Sequence, residues 1–274
     1  MTTERRLEDR VKARNTAEGS ENAIHDDAVA RRYGFRGGLV PGVTVYAYLT
    51  RPLVAALGAA WLERGTAVVK FVRPVLGGEE LAVTGTIVGR DARGVTASLV
   101  ASTVASGECA TLTATLPAGS PVPVNLALYG TAPVPAERRA ATRAHLEGLT
   151  ALGTPVTTYD DRRAAEYLAK VEDPLEVYRG AHGLVHPGFF LDQANRALDR
   201  NVTLGPWVHV GSAVRHLGGA RVGETLATRG RVRSLFEKKG REFVELDLVI
   251  VAGERARPVA HILHTAIYRL PPPA

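Results

Sequence analysis

Cysteine is almost missing from this chain: Cys109 is the single one in 274 residues. No internal disulfide can form and no multi-cysteine zinc site can be built, a usage that fits a reducing cytoplasm. Aromatic residues make up only 6% of the chain, and the basic residues do not gather in one run, which argues against a nucleic-acid partner. No apolar run reaches the ~18 residues of a membrane span. The start, Met1 to Arg6, lacks the apolar stretch of a secretion signal. There is no P-loop, no dinucleotide fingerprint, no G-x-S-x-G elbow and no H-E-x-x-H pair, so covalent acyl-enzyme chemistry has little support. These absences lead to the expectation of a cytoplasmic protein without metal or cofactor.

What is present is the composition of a globular protein, 45% hydrophobic and 23% charged, long enough for two domains. The net charge is +6 and the isoelectric point is near 9.7. A basic surface of this kind is either a solvated arginine-rich exterior or an attraction for phosphorylated ligands, such as coenzyme A, or for an acidic carrier protein.

The chain also repeats itself. Gly78-Glu79-Glu80-Leu81 returns as Gly223-Glu224-Thr225-Leu226, 145 positions later. Gly37-Gly38-Leu39-Val40-Pro41-Gly42 matches Gly183-Leu184-Val185-His186-Pro187-Gly188 at a spacing of 146. Two matches in one order and at nearly one spacing point to a duplicated unit. The expected division is 1–118, a connection over 119–150, and 151–274. Prolines 117, 121, 123, 133 and 135 mark the connection, with a charged helix expected over Ala136–Leu149.

Each copy reads as a helix followed by β-rich segments. In the first, a strand at 5–14 and a short helix near Asp26–Tyr33 precede an apolar helix opened by Pro41-Gly42. Pro52 is expected to kink that helix or to start another reaching about Glu63. Strands follow at 66–75, 80–89, 94–105 and 108–116. The second copy repeats this with a strand at 154–159, helices at Asp161–Val171 and Phe189–Leu198, and strands at 206–217, 224–236, 241–252 and 257–269. An apolar helix followed by an antiparallel run suggests a curved sheet wrapped around that helix, an α+β class.

Three stretches then resemble a known family, the MaoC-like hydratases and dehydratases of the (R)-specific enoyl-CoA hydratase type. Gly19-Ser20-Glu21-Asn22-Ala23-Ile24-His25 resembles G-D-x-N-P-[LIV]-H. Gly37 to Gly42 resembles the G-x-x-x-H-G segment that opens the family's central helix. Phe71-Val72-Arg73-Pro74-Val75-Leu76-Gly77-Gly78-Glu79-Glu80-Leu81 resembles F-x-x-P-V-x-x-G-[DE]-x-L. The resemblance implies a fused double hot-dog, with an acyl thioester of coenzyme A or acyl carrier protein as substrate. The assembly would be a monomer, or a homodimer of double hot-dogs.

Carried over by residue, the family's catalytic histidine falls on His25 and its aspartate on Ser20. Asn22 is kept, while Pro41 replaces the histidine that precedes the helix glycine. Serine cannot accept a proton as a carboxylate does. Glu21, Asp26 and Asp27 lie nearby, but Asp192 is the stronger replacement. It stands in His186-Pro187-Gly188-Phe189-Phe190-Leu191-Asp192, which resembles the H-P-x-L-L-D stretch of double hot-dog dehydratase domains, one residue late. The expected catalytic set is His25 as base, the Gly42 amide as oxyanion donor and Asp192 or a water as proton carrier. Ser20, Asn22, Gly38, Pro41 and His186 would line the substrate site, and Arg36 and Arg73 would hold phosphates. His209, His216, His261 and His264 fall on strand candidates without metal-ligand spacing and are expected in the core or at edges. The leading expectation is a cofactor-independent lyase that hydrates or dehydrates an acyl thioester. The alternatives are a non-catalytic acyl-binding module, or a thioesterase or cyclase on the same fold.

Overall fold

The computed structural model describes residues 5–271; most of the leader reading, over 1–4, lies outside them. Ten strands form one antiparallel sheet, beginning with β1 (Arg6–Lys12) at one edge. A short helix α1 (Asp27–Arg32) is followed by α2 (Gly42–Leu57) and α3 (Ala59–Arg64). Strands β2 (Thr66–Phe71), β3 (Glu80–Asp91), β4 (Gly94–Thr103) and β5 (Gly107–Pro117) complete the first half. The connection carries β6 (Arg139–Ala140) and α4 (Arg143–Glu147). The second half contains β7 (Val156–Thr158), α5 (Asp161–Val171), α6 (Pro187–Asp199), β8 (Val202–Thr203), β9 (Val208–His216), β10 (Thr225–Lys238), β11 (Arg241–Ala252) and β12 (Arg257–Arg269).

The strand order is β1-β3-β4-β5-β2-β9-β12-β11-β10-β7. Read inward from its two edges, it pairs β1 with β7, β3 with β10, β4 with β11, β5 with β12, and β2 with β9. The sheet is therefore two copies of one arrangement joined edge to edge. At the junction Val68 lies opposite Ala213, 145 positions on, so the repeat axis passes through this pair. The same spacing relates the bridges Leu39–Leu76 and Leu184–Arg221. Gly38 and Gly183 are also equivalent: a Cβ on either would run into a backbone carbonyl, that of His25 or of Tyr178. The spacing is thus 145 at the helix starts too, and the sequence pairing of Gly37 with Gly183 is one residue out of step.

Helix α2 is apolar on nearly all sides and buried from Val43 to Thr50, because the sheet wraps around it while α6 packs beside it. Residues of both halves share one core cluster, including Leu49, Leu112, Leu191 and Ile262. Pro52 does not break α2; the helix runs through it to Leu57 and stops at Gly58, whose φ of +66° suits a residue without Cβ. The strand expected to reach residue 75 ends at Phe71, where the Val72 and Arg73 amides both turn to Cys109 O. The helix expected over Ala136–Leu149 shrinks to α4. Arg139 and Ala140 pair in parallel with β8, and the Thr142 side chain caps the helix by accepting from His145 N at 3.2 Å.

Candidate functional site

The site is built where the first loop of the chain meets the start of α2 and the start of β9. Asn22 caps the short turn Ala23–His25 with its side-chain oxygen. That oxygen also accepts from Trp207 N at 3.2 Å, and Asn22 Nδ2 donates to Trp207 O at 3.0 Å. One side chain thus clamps the loop of the first half to the second. The same Nδ2 lies 3.3 Å from His25 Nε2. His25 Nδ1 donates to Leu39 O at 2.7 Å, so Nδ1 carries the proton and Nε2 presents its lone pair. Burial lowers the imidazole's pKa from its usual value, leaving the ring neutral near pH 7.

Gly38 lets this loop close, since no Cβ fits against His25 O, and its own amide donates to Asp27 Oδ1 at 2.7 Å. Pro41 is the residue before α2 and offers no side-chain cap. The amides of Thr44 and Val45 turn back to Pro41 O. Those of Gly42 and Val43 have no acceptor among the described residues. The start of α2 is therefore a pair of free donors backed by the helix dipole.

His25, Pro41 and Gly42 line a hollow of about 170 Å³ with Val45, Phe71 and His209. Several of its lining residues, including Val75 and Cys109, belong to the buried core. Arg73 and Arg241 stand on its wall as exposed cations. Arg73 also donates to Glu108 O at 2.9 Å.

A second cleft opens on the other side of His25. It brings together His25, Ser20, Asn22, Pro41, Asp192 and Asp199. Asp192 is partly buried, and desolvation raises its carboxyl above the ordinary range. Burial pushes Asp199 up to about 6. Arg138, Lys170, Arg196 and Arg200 surround these carboxyls.

The structure places three expected site residues elsewhere. His186 lines neither space. It is the N-cap of α6, its Nδ1 accepting from Gly188 N at 3.0 Å and its Nε2 donating to Asp173 Oδ2 at 3.2 Å. It is fully buried between the Tyr167 and Tyr178 rings. Arg36 faces an outer groove and is held by Glu79 at 3.0 Å and Ser106 at 2.9 Å. Gly38 lines that same groove and supports His25 from behind. Conversely, Trp207, Asp199, Arg241 and His209 belong to the site although sequence reasoning did not include them. Trp207 and His209 reach it only because β9 crosses beside the start of α2.

Among the described residues, no group of three His, Cys, Asp or Glu side chains is arranged to hold a metal ion, and no helix is long and apolar enough to cross a membrane. No protein-family model matches the sequence, and no curated protein matches it. Solved structures do match in shape. A provisionally named MaoC domain dehydratase from Chloroflexus aurantiacus superposes with a TM-score of 0.68, at 12% identity over 98% of this chain and 96% of its own. A conserved hypothetical protein of Mycobacterium tuberculosis, described as having a double hot-dog fold, gives 0.65 at 15% identity over 97% and 96%. The fold is a double hot-dog. A provisionally named oleoyl thioesterase from Lactobacillus plantarum shares it with a TM-score of 0.56, at 10% identity over 98% of each chain. This double hot-dog keeps an imidazole, free helix-start amides and a deep hollow together at one end of α2.

Proposed function

We propose that the protein hydrates and dehydrates an acyl thioester, with the acyl chain in the hollow beside α2. The observation that carries this is the shared lining: the neutral His25 imidazole, its Nε2 unprotonated, and Gly42 border the same space. In the hydration direction, His25 Nε2 takes a proton from water as the water oxygen bonds to C3 of the enoyl group. The C2–C3 π electrons move toward the carbonyl, and the enolate oxygen is held by the Gly42 amide at the positive end of α2. Asp192 lines the cleft and not the hollow, so its proton reaches C2 through water at His25; its raised pKa favours the protonated form that supplies it. The proton on His25 then restores Asp192 through solvent in the cleft that both residues line. Ser20 stands in the same cleft and has a hydroxyl to position water. Asn22 fixes His25 through its contact with Nε2 and its clamp on Trp207.

Cations surround both openings. Arg73 and Arg241 on the hollow, and Arg138, Lys170, Arg196 and Arg200 around the cleft, offer charge for coenzyme A phosphates or an acidic carrier.

Incubation with crotonyl-CoA tests the reading. Turnover to 3-hydroxybutyryl-CoA is expected, with kcat/KM of His25→Ala reduced by ~10²–10⁴. Unchanged turnover in that variant ends the assignment. One observation favours a second reading, an acyl-binding module without turnover: Ser20 occupies the position that carries the aspartate in the resembling motif. Tight binding of crotonyl-CoA with no product would support that reading, and release of free thiol would identify a thioesterase.

A further inference from the structure

One polar side chain in the wall of the hollow has no part in the reaction above. His209, the second residue of β9, is 6% exposed. Its Nδ1 has no hydrogen-bond partner among the described residues. A Cβ built on Gly42 would meet that same nitrogen at 3.0 Å and a Phe71 ring carbon at 3.0 Å. The unpartnered nitrogen therefore lies directly against the first residue of α2, shielded in the wall of the hollow by Gly42 and the Phe71 ring. An imidazole nitrogen buried with nothing to bond is costly unless a ligand completes it.

The other side of the ring is fully organised. His209 Nε2 lies 2.9 Å from Ser212 Oγ, and Ser212 Oγ lies 2.9 Å from His264 Nδ1. The two imidazoles stack with centroids 4.1 Å apart. His264 is fully buried and its Nε2 is unpartnered. A serine hydroxyl donates one proton, so this chain has two polarities. In the first, His264 Nδ1–H donates to Ser212, Ser212 donates to His209 Nε2, and His209 Nδ1–H faces the start of α2 at Gly42. In the second, His264 is left with an unsatisfied N–H in the core. The first leaves only a bare lone pair there, and it places its spare donor beside Gly42 in the wall of the hollow. Burial supports a neutral ring by pulling His209 down to about 3 and His264 well below its usual value.

We propose that His209 Nδ1–H is a second hydrogen-bond donor to the thioester oxygen beside the Gly42 amide, set in that tautomer by Ser212 and His264. The assignment rests on the hydratase reading. A neutral imidazole suits the role, because it donates to a developing oxyanion without the desolvation cost of a buried cation. Its rigid placement on a strand, with the ring fixed by stacking, costs no reorganisation during the reaction. Ser212 and His264 do not touch substrate and are positioning residues.

Two substitutions separate the ring nitrogens. His209→Asn places an amide nitrogen where Nδ1 stands and gives up the link to Ser212. His209→Gln reaches the Nε2 position and leaves the Gly42 side empty. With crotonyl-CoA, His209→Asn is expected to keep kcat within about tenfold of the parent, and His209→Gln to lose ~10²–10³ in kcat with little change in KM. In the full-length chain labelled with 15N-histidine, the His209 signal should report a protonated Nδ1. That signal should move on adding butyryl-CoA, and the tautomer should change in Ser212→Ala. This spectrum of the unaltered protein decides the matter if either His209 variant fails to fold. A His209 ring protonated at Nε2, or parental kcat in His209→Gln while His25→Ala is inactive, overturns this proposal and leaves the hydratase reading standing. A parent protein that neither binds butyryl-CoA nor converts crotonyl-CoA overturns both.

Discussion

Burial depresses the His25 pKa below its ordinary value, and this sets the acid limit of any reaction that uses the ring as a base. The base form is lost as pH falls through the folded-state pKa, which lies under about 6.5. The profile of kcat/KM is therefore expected to have an acid limb whose midpoint falls below about 6.5, and to fall again on the alkaline side as Asp192 loses its proton. A midpoint at 7 or higher would place a different group in the base's role. The residues behind this behaviour were unequally legible in the sequence. Gly19 to His25 is a local motif, with cap and imidazole three residues apart, so reading along the chain finds it. His209 lies 167 positions past Gly42 and touches it only through the folded sheet, so neither spacing nor residue type announces it. His186 misleads for the opposite reason. It precedes a helix just as a site residue would, but its proton acceptor Asp173 and the flanking tyrosine rings absorb it into the core.

At the scale of elements, the proline-rich connection is more firmly held than its composition suggests. Tyr129, within the connection, lies on the outer face of β11 and packs against Val249 and Val251. Its hydroxyl donates to Asp247 Oδ1 at 2.7 Å, and Arg231 reaches Asp247 Oδ2 at 3.0 Å. This explains why β11 reads as a nearly continuous apolar run rather than an alternating one: the core covers one face and the connection covers the other. Prolines mark the connection, but its landing place is a tertiary fact. Replacing Tyr129 by Phe keeps the packing and leaves Asp247 without one donor. A loss of about 1–2 kcal/mol is expected in urea unfolding, with crotonyl-CoA turnover unaffected. A change of under 0.3 kcal/mol would show that the latch contributes nothing beyond apolar contact.

Across the whole molecule, the two halves share a plan and divide the labour. Val45 and Phe71 line the hollow in the first half. Their equivalents 145 positions on are Phe190 and His216. Phe190 is buried, and His216 packs edge-on against the buried Trp61. The corresponding space in the second half is filled, and that half instead contributes Asp192, Trp207 and His209 to the first. The duplicated architecture was legible because strand and helix signals recur at one interval; the filling of one space was not, because it depends on Trp61 crossing from the other half. The cost of burying so many imidazoles is acid sensitivity. His209 and His216 are pulled down to about 3 and about 4 by desolvation, against about 6.5 in the unfolded chain. Between those limits the unfolded state binds more protons than the folded one. Stability is then full above about pH 6.5 and falls by about 1.4 kcal/mol per proton for each unit of acidification below it. Thermal melts from pH 7 to pH 4 should show a steadily dropping Tm, steeper in the parent than in His216→Phe.

The small volume of the hollow turns the molecule into a gauge of chain length. An apolar cavity of about 150 Å³ holds benzene, six carbons, and this one measures about 170 Å³. Catalytic efficiency should climb roughly fourfold for each added methylene, as burial of about 0.8 kcal/mol implies, from crotonyl- to hexenoyl-CoA. It should then stop climbing, because about six carbons already occupy a space of this volume.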